Sequence, residues 1–168
     1  MNDVHIELIY TYRKAQRLIN QDWVLDSLRV VGDVLLKPEY RSRWSVDNPT
    51  YGYCYLVSEL LYHYVYPNSI SYTIDLSSVG EDTHWFIKNK GRIIDYTGIQ
   101  FNYITPYKHD NDRFFDFENG DHTFKIPYPK ARRTAFFDGK YKTNRGLISE
   151  RSVHLGEKIG LLKLNNLT

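Results

Sequence analysis

The chain has 168 residues, with 22 basic and 20 acidic side chains, 42% hydrophobic residues and a single cysteine. That length suits one domain with its own core, and one cysteine excludes an internal disulfide. No apolar run reaches bilayer-spanning length. The start, Met1-Asn2-Asp3-Val4-His5-Ile6-Glu7, lacks the basic region and cleavage site of a secretory signal, so the expected location is cytoplasmic.

Residues 4–19 read as a helix, because Val4, Leu8, Ile9, Tyr12 and Ala15 recur at steps of three and four, followed by Ile19. Asn2 or Asp3 is the expected cap. A second helix is expected from Asp22 to Leu36, with Gly32 weakening its end and Pro38 stopping it. From Glu39 to Tyr51 charged and turn residues predict an exposed loop. A buried helix should follow over Tyr53 to Tyr66, with Val57, Leu60, Leu61, Tyr64 and Val65 on one stripe and His63 on the polar side. Cys54 then shares a face with Ser58, Leu61 and Val65.

After Pro67 the period changes to that of strands. Ile70, Tyr72 and Ile74 alternate, and Lys88-Asn89-Lys90-Gly91 predicts a turn between runs containing His84, Phe86 and Arg92, Ile94. Phe86 or Ile87 should oppose Arg92 or Ile93, and His84 should oppose Ile94 or Asp95. His84 and Asp95 are then direct or diagonal neighbours. Residues 102–125 are expected to be irregular or a short strand pair, and 130–158 a loop followed by a short helix from Ser149 to Leu155.

The fold class is therefore α+β, one domain over 1–168 with N-terminal helices (1–37) packed on a small antiparallel sheet. The charge is uneven along it: residues 1–120 hold 12 basic and 16 acidic side chains, whereas residues 121–168 hold 10 and 4.

The chemistry concentrates in residues 48–101. Cys54 follows Gly52-Tyr53 at the expected start of a helix, where unpaired N–H groups and the positive end of the helix dipole favour a thiolate. His84 is placed to move the proton, and Asp95 to accept the His84 Nδ1–H and fix the ring. Cys54, His84 and Asp95 are thus the candidate catalytic residues. The N–H of Cys54 or Tyr55 is the first choice of oxyanion donor, with Asn48 or Tyr51 as possible side-chain donors. Bland alternatives exist for each: a free cysteine is commonly a small buried hydrophobe, and an aspartate after Ile93-Ile94 can simply open a turn. Glu59 is read as a solvated flank or an ion-pair partner of Arg92 or Arg132. A zinc site from Cys54, His63 and His84 has no recognised ligand spacing, and no cofactor is expected.

Gly52-Tyr53-Cys54, His84-Trp85-Phe86-Ile87 and Gly91-Arg92-Ile93-Ile94-Asp95-Tyr96-Thr97 together resemble the papain-like fold in its transglutaminase-type arrangement, with cysteine on a helix and histidine and aspartate on following strands. The stretch from Asn48 to Arg151 also resembles small uncharacterised bacterial and phage proteins with an Asn-Pro…Gly-x-Cys helix, a His-Trp strand and an Asp-x-Thr strand. The resemblance implies the fold and the triad but no substrate. Transglutaminase enzymes usually carry a tryptophan near the oxyanion hole, for which Trp44 is the stand-in here.

Two functions follow as expectations. One is a cysteine hydrolase or acyltransferase acting on an amide- or ester-containing substrate. The other is a non-catalytic interaction protein, such as a phage accessory factor, that binds a host protein or nucleic acid through its basic, aromatic C-terminal segment. Neither needs a membrane.

Overall fold

The computed structural model describes residues 4–75, 83–102, 132–136 and 139–166. The expectation for residues 102–125 lies outside the described residues except at its first position. Among the described residues helices and antiparallel strands combine as an α+β arrangement, and no helix is long and apolar enough to cross a membrane.

The first element is a strand, β1 (Val4–Leu8), not the start of a helix. It pairs antiparallel with β8 (Leu162–Asn166), placing Ile6 opposite Leu164 and Leu8 opposite Leu162. His5 and Glu7 are exposed while Ile6 and Leu8 pack on the core. Alternation over these residues therefore outweighs the helical spacing that runs through them.

Helix α1 (Tyr12–Leu18) starts at Thr11, whose hydroxyl accepts from the Lys14 N–H at 3.2 Å. Helix α2 (Gln21–Val31) is capped by Asn20, buries Val24 and Leu28, and stops at Gly32, whose φ is 75°. The stop thus comes before Pro38, because a glycine with positive φ ends the helix first. Pro38 instead begins a short helix, α3 (Pro38–Arg41), at a position where its missing N–H costs nothing.

The turn after α3 runs to Tyr53. Far from being exposed throughout, it buries Asn48, Pro49, Thr50 and Tyr51. Helix α4 (Cys54–Leu60) continues as a π-helical turn, Leu61–Val65. The wider turn changes the angular phase of the residues in it, and His63, expected on the polar side, is buried. Tyr53, Leu56, Val57, Leu60, Leu61 and Val65 are all part of the main core.

A four-stranded sheet carries the next elements in the order β4-β3-β2-β5. These are β2 (Ile70–Asp75), β3 (Thr83–Asn89), β4 (Arg92–Ile94) and the short edge strand β5 (Arg132–Arg133). Lys88 and Asn89 belong to β3, so the hairpin turn is Lys90-Gly91 alone, with φ of 53° and 79°. Two residues of positive φ make the type of turn whose twist matches the strands. Strands β6 (Tyr141–Thr143) and β7 (Gly146–Ile148) form a second hairpin. Helix α5 (Glu150–Lys158), capped by Ser149, packs on α4 and leads to β8.

Candidate active site

Each of the three candidate residues reaches the site from a different element. Cys54 is the first residue of α4, which packs against β3. His84 lies near the start of β3, and Asp95 directly follows β4. The register pairs Ile87 with Ile94 and Lys88 with Ile93. Continuing it puts Asp95 level with Phe86, one diagonal step from His84 on the same face of the sheet. The turn is two residues tighter than expected, and the neighbours are diagonal rather than directly opposed.

His84 is fully buried, and Asp95 is only 5% exposed. His84 Nε2 and Asp95 Oδ2 are 2.6 Å apart. The expected pairing through Nδ1 is therefore wrong. Nε2 is the nitrogen farther from the backbone and spans the diagonal step. Cys54, partly exposed, places its sulfur 3.9 Å from the Thr83 carbonyl, the peptide just before His84. The thiol therefore lies close enough to His84 to act on its charge. Burial opposes charge on the ring, but the Asp95 carboxylate and its hydrogen bond, reinforced by Cys54, outweigh it and push the His84 pKa up to about 10.

Asp95 uses its second oxygen locally. Oδ1 accepts from the Gly98 N–H at 3.0 Å and the Thr97 N–H at 3.3 Å. The bland reading of Asp95 as a turn opener and the functional reading as the partner of His84 thus describe different oxygens of one carboxylate. Phe101 meets the His84 ring edge-on at 4.9 Å, and Phe86 stacks on it at 6.3 Å. These two rings were not expected at the site. The signal available for Phe101 was the Asp-x-Thr-Gly sequence, whose side-chain turn begins the 3-10 turn Gly98–Asn102 that carries it.

Two of the side chains considered for the oxyanion hole, Trp44 and Asn48, donate elsewhere. Trp44 donates its indole N–H to the Pro49 carbonyl at 2.9 Å, so it does not stand in for a tryptophan donor. Asn48 Nδ2 donates to the Gln100 carbonyl at 3.2 Å. Tyr51 is buried with its ring edge-on to Tyr40 and beneath the Arg43 guanidinium. Helix α4 has no side-chain cap at its start, which keeps its first N–H groups as the donors of choice.

Glu59 is buried, not a solvated flank, and it accepts hydrogen bonds from two serines. Its Oε1 accepts from the hydroxyls of Ser149 and Ser152, each at 2.6 Å. His63 Nδ1 lies 2.6 Å from the Thr143 hydroxyl. Burial, with the nearby Arg145 charge, lowers the His63 pKa to about 4 against a weaker contribution from the Leu147 carbonyl. Among the described residues no three His, Cys, Asp or Glu gather as a metal site, so Cys54, His63 and His84 do not form one.

Part of the basic C-terminal segment is also built in. Arg145 donates to the carbonyls of Tyr62 and Tyr66 at 2.7 and 3.1 Å and covers the Tyr62 ring. Arg151 donates to the Leu35 carbonyl, and Lys140 pairs with Glu150. Phe136 packs between Tyr55, Tyr62 and Trp85. Arg132 and Arg133 remain exposed. No protein-family model, curated protein or solved structure matches the chain.

Proposed function

We propose that the protein is a cysteine-dependent hydrolase or acyltransferase of papain-like, transglutaminase-type arrangement, acting on an amide or ester. The observation that carries this reading is the buried His84–Asp95 pair at 2.6 Å with the Cys54 sulfur 3.9 Å from the carbonyl of Thr83, the residue before His84. The Cys54 thiolate attacks the carbonyl carbon, and the carbonyl π pair moves to oxygen, where the N–H groups at the start of α4 stabilise it. When the carbonyl reforms, the bond to the amine or alcohol breaks and His84 gives that leaving group its proton. A water, or an acceptor amine or alcohol, then loses a proton to His84 as it attacks the thioester; collapse of the adduct breaks the C–S bond and returns the Cys54 thiolate beside protonated His84, which completes hydrolysis or transfer. Asp95 holds the ring and its charge throughout without taking the proton.

The test is a thiol-directed acyl probe followed by intact-mass measurement. The reading expects one acyl adduct, on Cys54, lost in Cys54→Ala and strongly slowed in His84→Ala. A folded protein in which the probe ignores Cys54 contradicts it. The interaction-protein reading retains the exposed Arg132-Arg133 edge but not Arg145, Arg151 or Phe136, which serve the fold. It predicts that Cys54→Ala keeps biological activity while charge reversal at Arg132 and Arg133 abolishes it.

A further inference from the structure

A side chain, Asn48, ties the turn that delivers Cys54 to the segment that holds Asp95. Asn48 is 5% exposed, and its Nδ2 donates to the Gln100 carbonyl at 3.2 Å. Only the nitrogen end of an amide can face a carbonyl, so this partner fixes the orientation of the group. Asn48 Oδ1 is buried with no protein partner among the described residues. An amide with an unmet oxygen is a costly way to fill buried space, which singles out its donor end as the part being used.

Gln100 belongs to the 3-10 turn Gly98–Asn102, and its Nε2 donates to the Thr97 carbonyl at 2.9 Å. Thr97 and Gly98 in turn donate to Asp95 Oδ1, while Asp95 Oδ2 holds His84. The same turn presents Phe101 to the His84 ring. From His84 the path steps back one residue to Thr83, whose carbonyl lies 3.9 Å from the Cys54 sulfur, and the chain returns to Asn48 through the hydrogen bonds of Tyr53 N–H to Thr50 O and Tyr51 N–H to Asn48 O. Asn48 Nδ2 supplies a side-chain bond that joins its two halves.

We infer that Asn48 is a positioning residue of this site: its amide locks the Gly98–Asn102 turn to the Cys54 turn and so sets how Asp95 and Phe101 hold His84 against the thiol. This rests on the Cys54–His84–Asp95 reading. Asn48 acts through Asp95 and His84, not on the substrate oxyanion, and alkylation of the thiol separates those roles because it has no oxyanion to stabilise.

The experiment uses the full chain, wild type and with Asn48→Ala, Asn48→Asp or His84→Ala. Iodoacetamide alkylation of Cys54 is followed against pH, and the downfield imidazole proton of the His84–Asp95 bond is followed by NMR. The expected result is a folded Asn48→Ala and Asn48→Asp with acid-side alkylation slowed by up to about a hundredfold, as misplacement of a reacting group allows, and with the imidazole proton shifted or broadened. If Asn48→Ala and Asn48→Asp do not fold, Asn48→Ser carries the test, because its shorter polar side chain loses the bond to the Gln100 carbonyl and must move the same resonance. An unchanged profile and resonance in a folded variant overturns the role of Asn48 alone. An unchanged profile in folded His84→Ala overturns the site reading and this inference with it.

Discussion

His84 is the residue on which the account turns, and its charge has a consequence for stability. Its pKa rises from an ordinary 6.5 to about 10 on folding. Its contribution is therefore complete below about pH 6.5 and is lost as pH rises through about 10. Urea midpoints of wild type should fall across that window more than those of His84→Gln. His63 has the opposite sign: its pKa falls to about 4, so its contribution is complete above about 6.5 and is lost as pH drops through about 4. His63→Gln should accordingly flatten the acid side of the midpoint curve and leave the alkaline side as in wild type. The residue types and order of Cys54, His84 and Asp95 were legible in the sequence. Which imidazole nitrogen meets Asp95 was not, because it depends on a register that the Lys90-Gly91 turn sets. The burial of His63 was hidden by the π-helical turn, whose phase differs from the α-helical spacing assumed for it.

At the level of elements, the start of α4 is fixed from both ends. Gly52 has φ of 81°, and a Cβ there would lie 3.0 Å from a Leu36 methyl. Gly52→Ala should cost about 1–2 kcal/mol from the backbone alone, and a larger loss of Cys54 reactivity than of stability would show that the turn aims the thiol. Farther along α4, Glu59 receives both hydroxyls at the start of α5 and the Ser149 N–H at 3.3 Å. A carboxylate at a helix N-terminus also meets the favourable end of its dipole. Glu59→Ala should lower unfolding free energy by roughly 2 kcal/mol or more, given what a charged hydrogen-bond acceptor contributes, measured by urea denaturation. The carboxylate could not be read from the sequence, since its serine partners lie in a distant helix cap. The hairpin carrying His84 and Asp95 could, because its turn and strand alternation are local.

Across the whole molecule, long-range pairing supplied what local pattern did not. Residues 4–8 satisfy both a helical and an alternating spacing, and the partner that decides between them, Leu162–Asn166, lies near the far end of the chain. An Ile6→Asp substitution, opposite Leu164, should destabilise by about 1–3 kcal/mol in thermal or urea unfolding while leaving the Cys54 site's chemistry intact in the folded fraction. The broad architecture follows from the same division. Helix α4 joins the core on several sides, the sheet brings His84 and Asp95 to its start, and α5 and β8 close the fold against it. The central claim is that this packing turns one thiol into a nucleophile. It is tested most directly by the rate of Cys54 alkylation with iodoacetamide on the acid side of the ordinary thiol range, in wild type and in His84→Ala. The account predicts that wild type stays reactive where a free cysteine does not, and that His84→Ala falls to the free-cysteine rate. Equal, free-cysteine-like rates in the two folded proteins would contradict it.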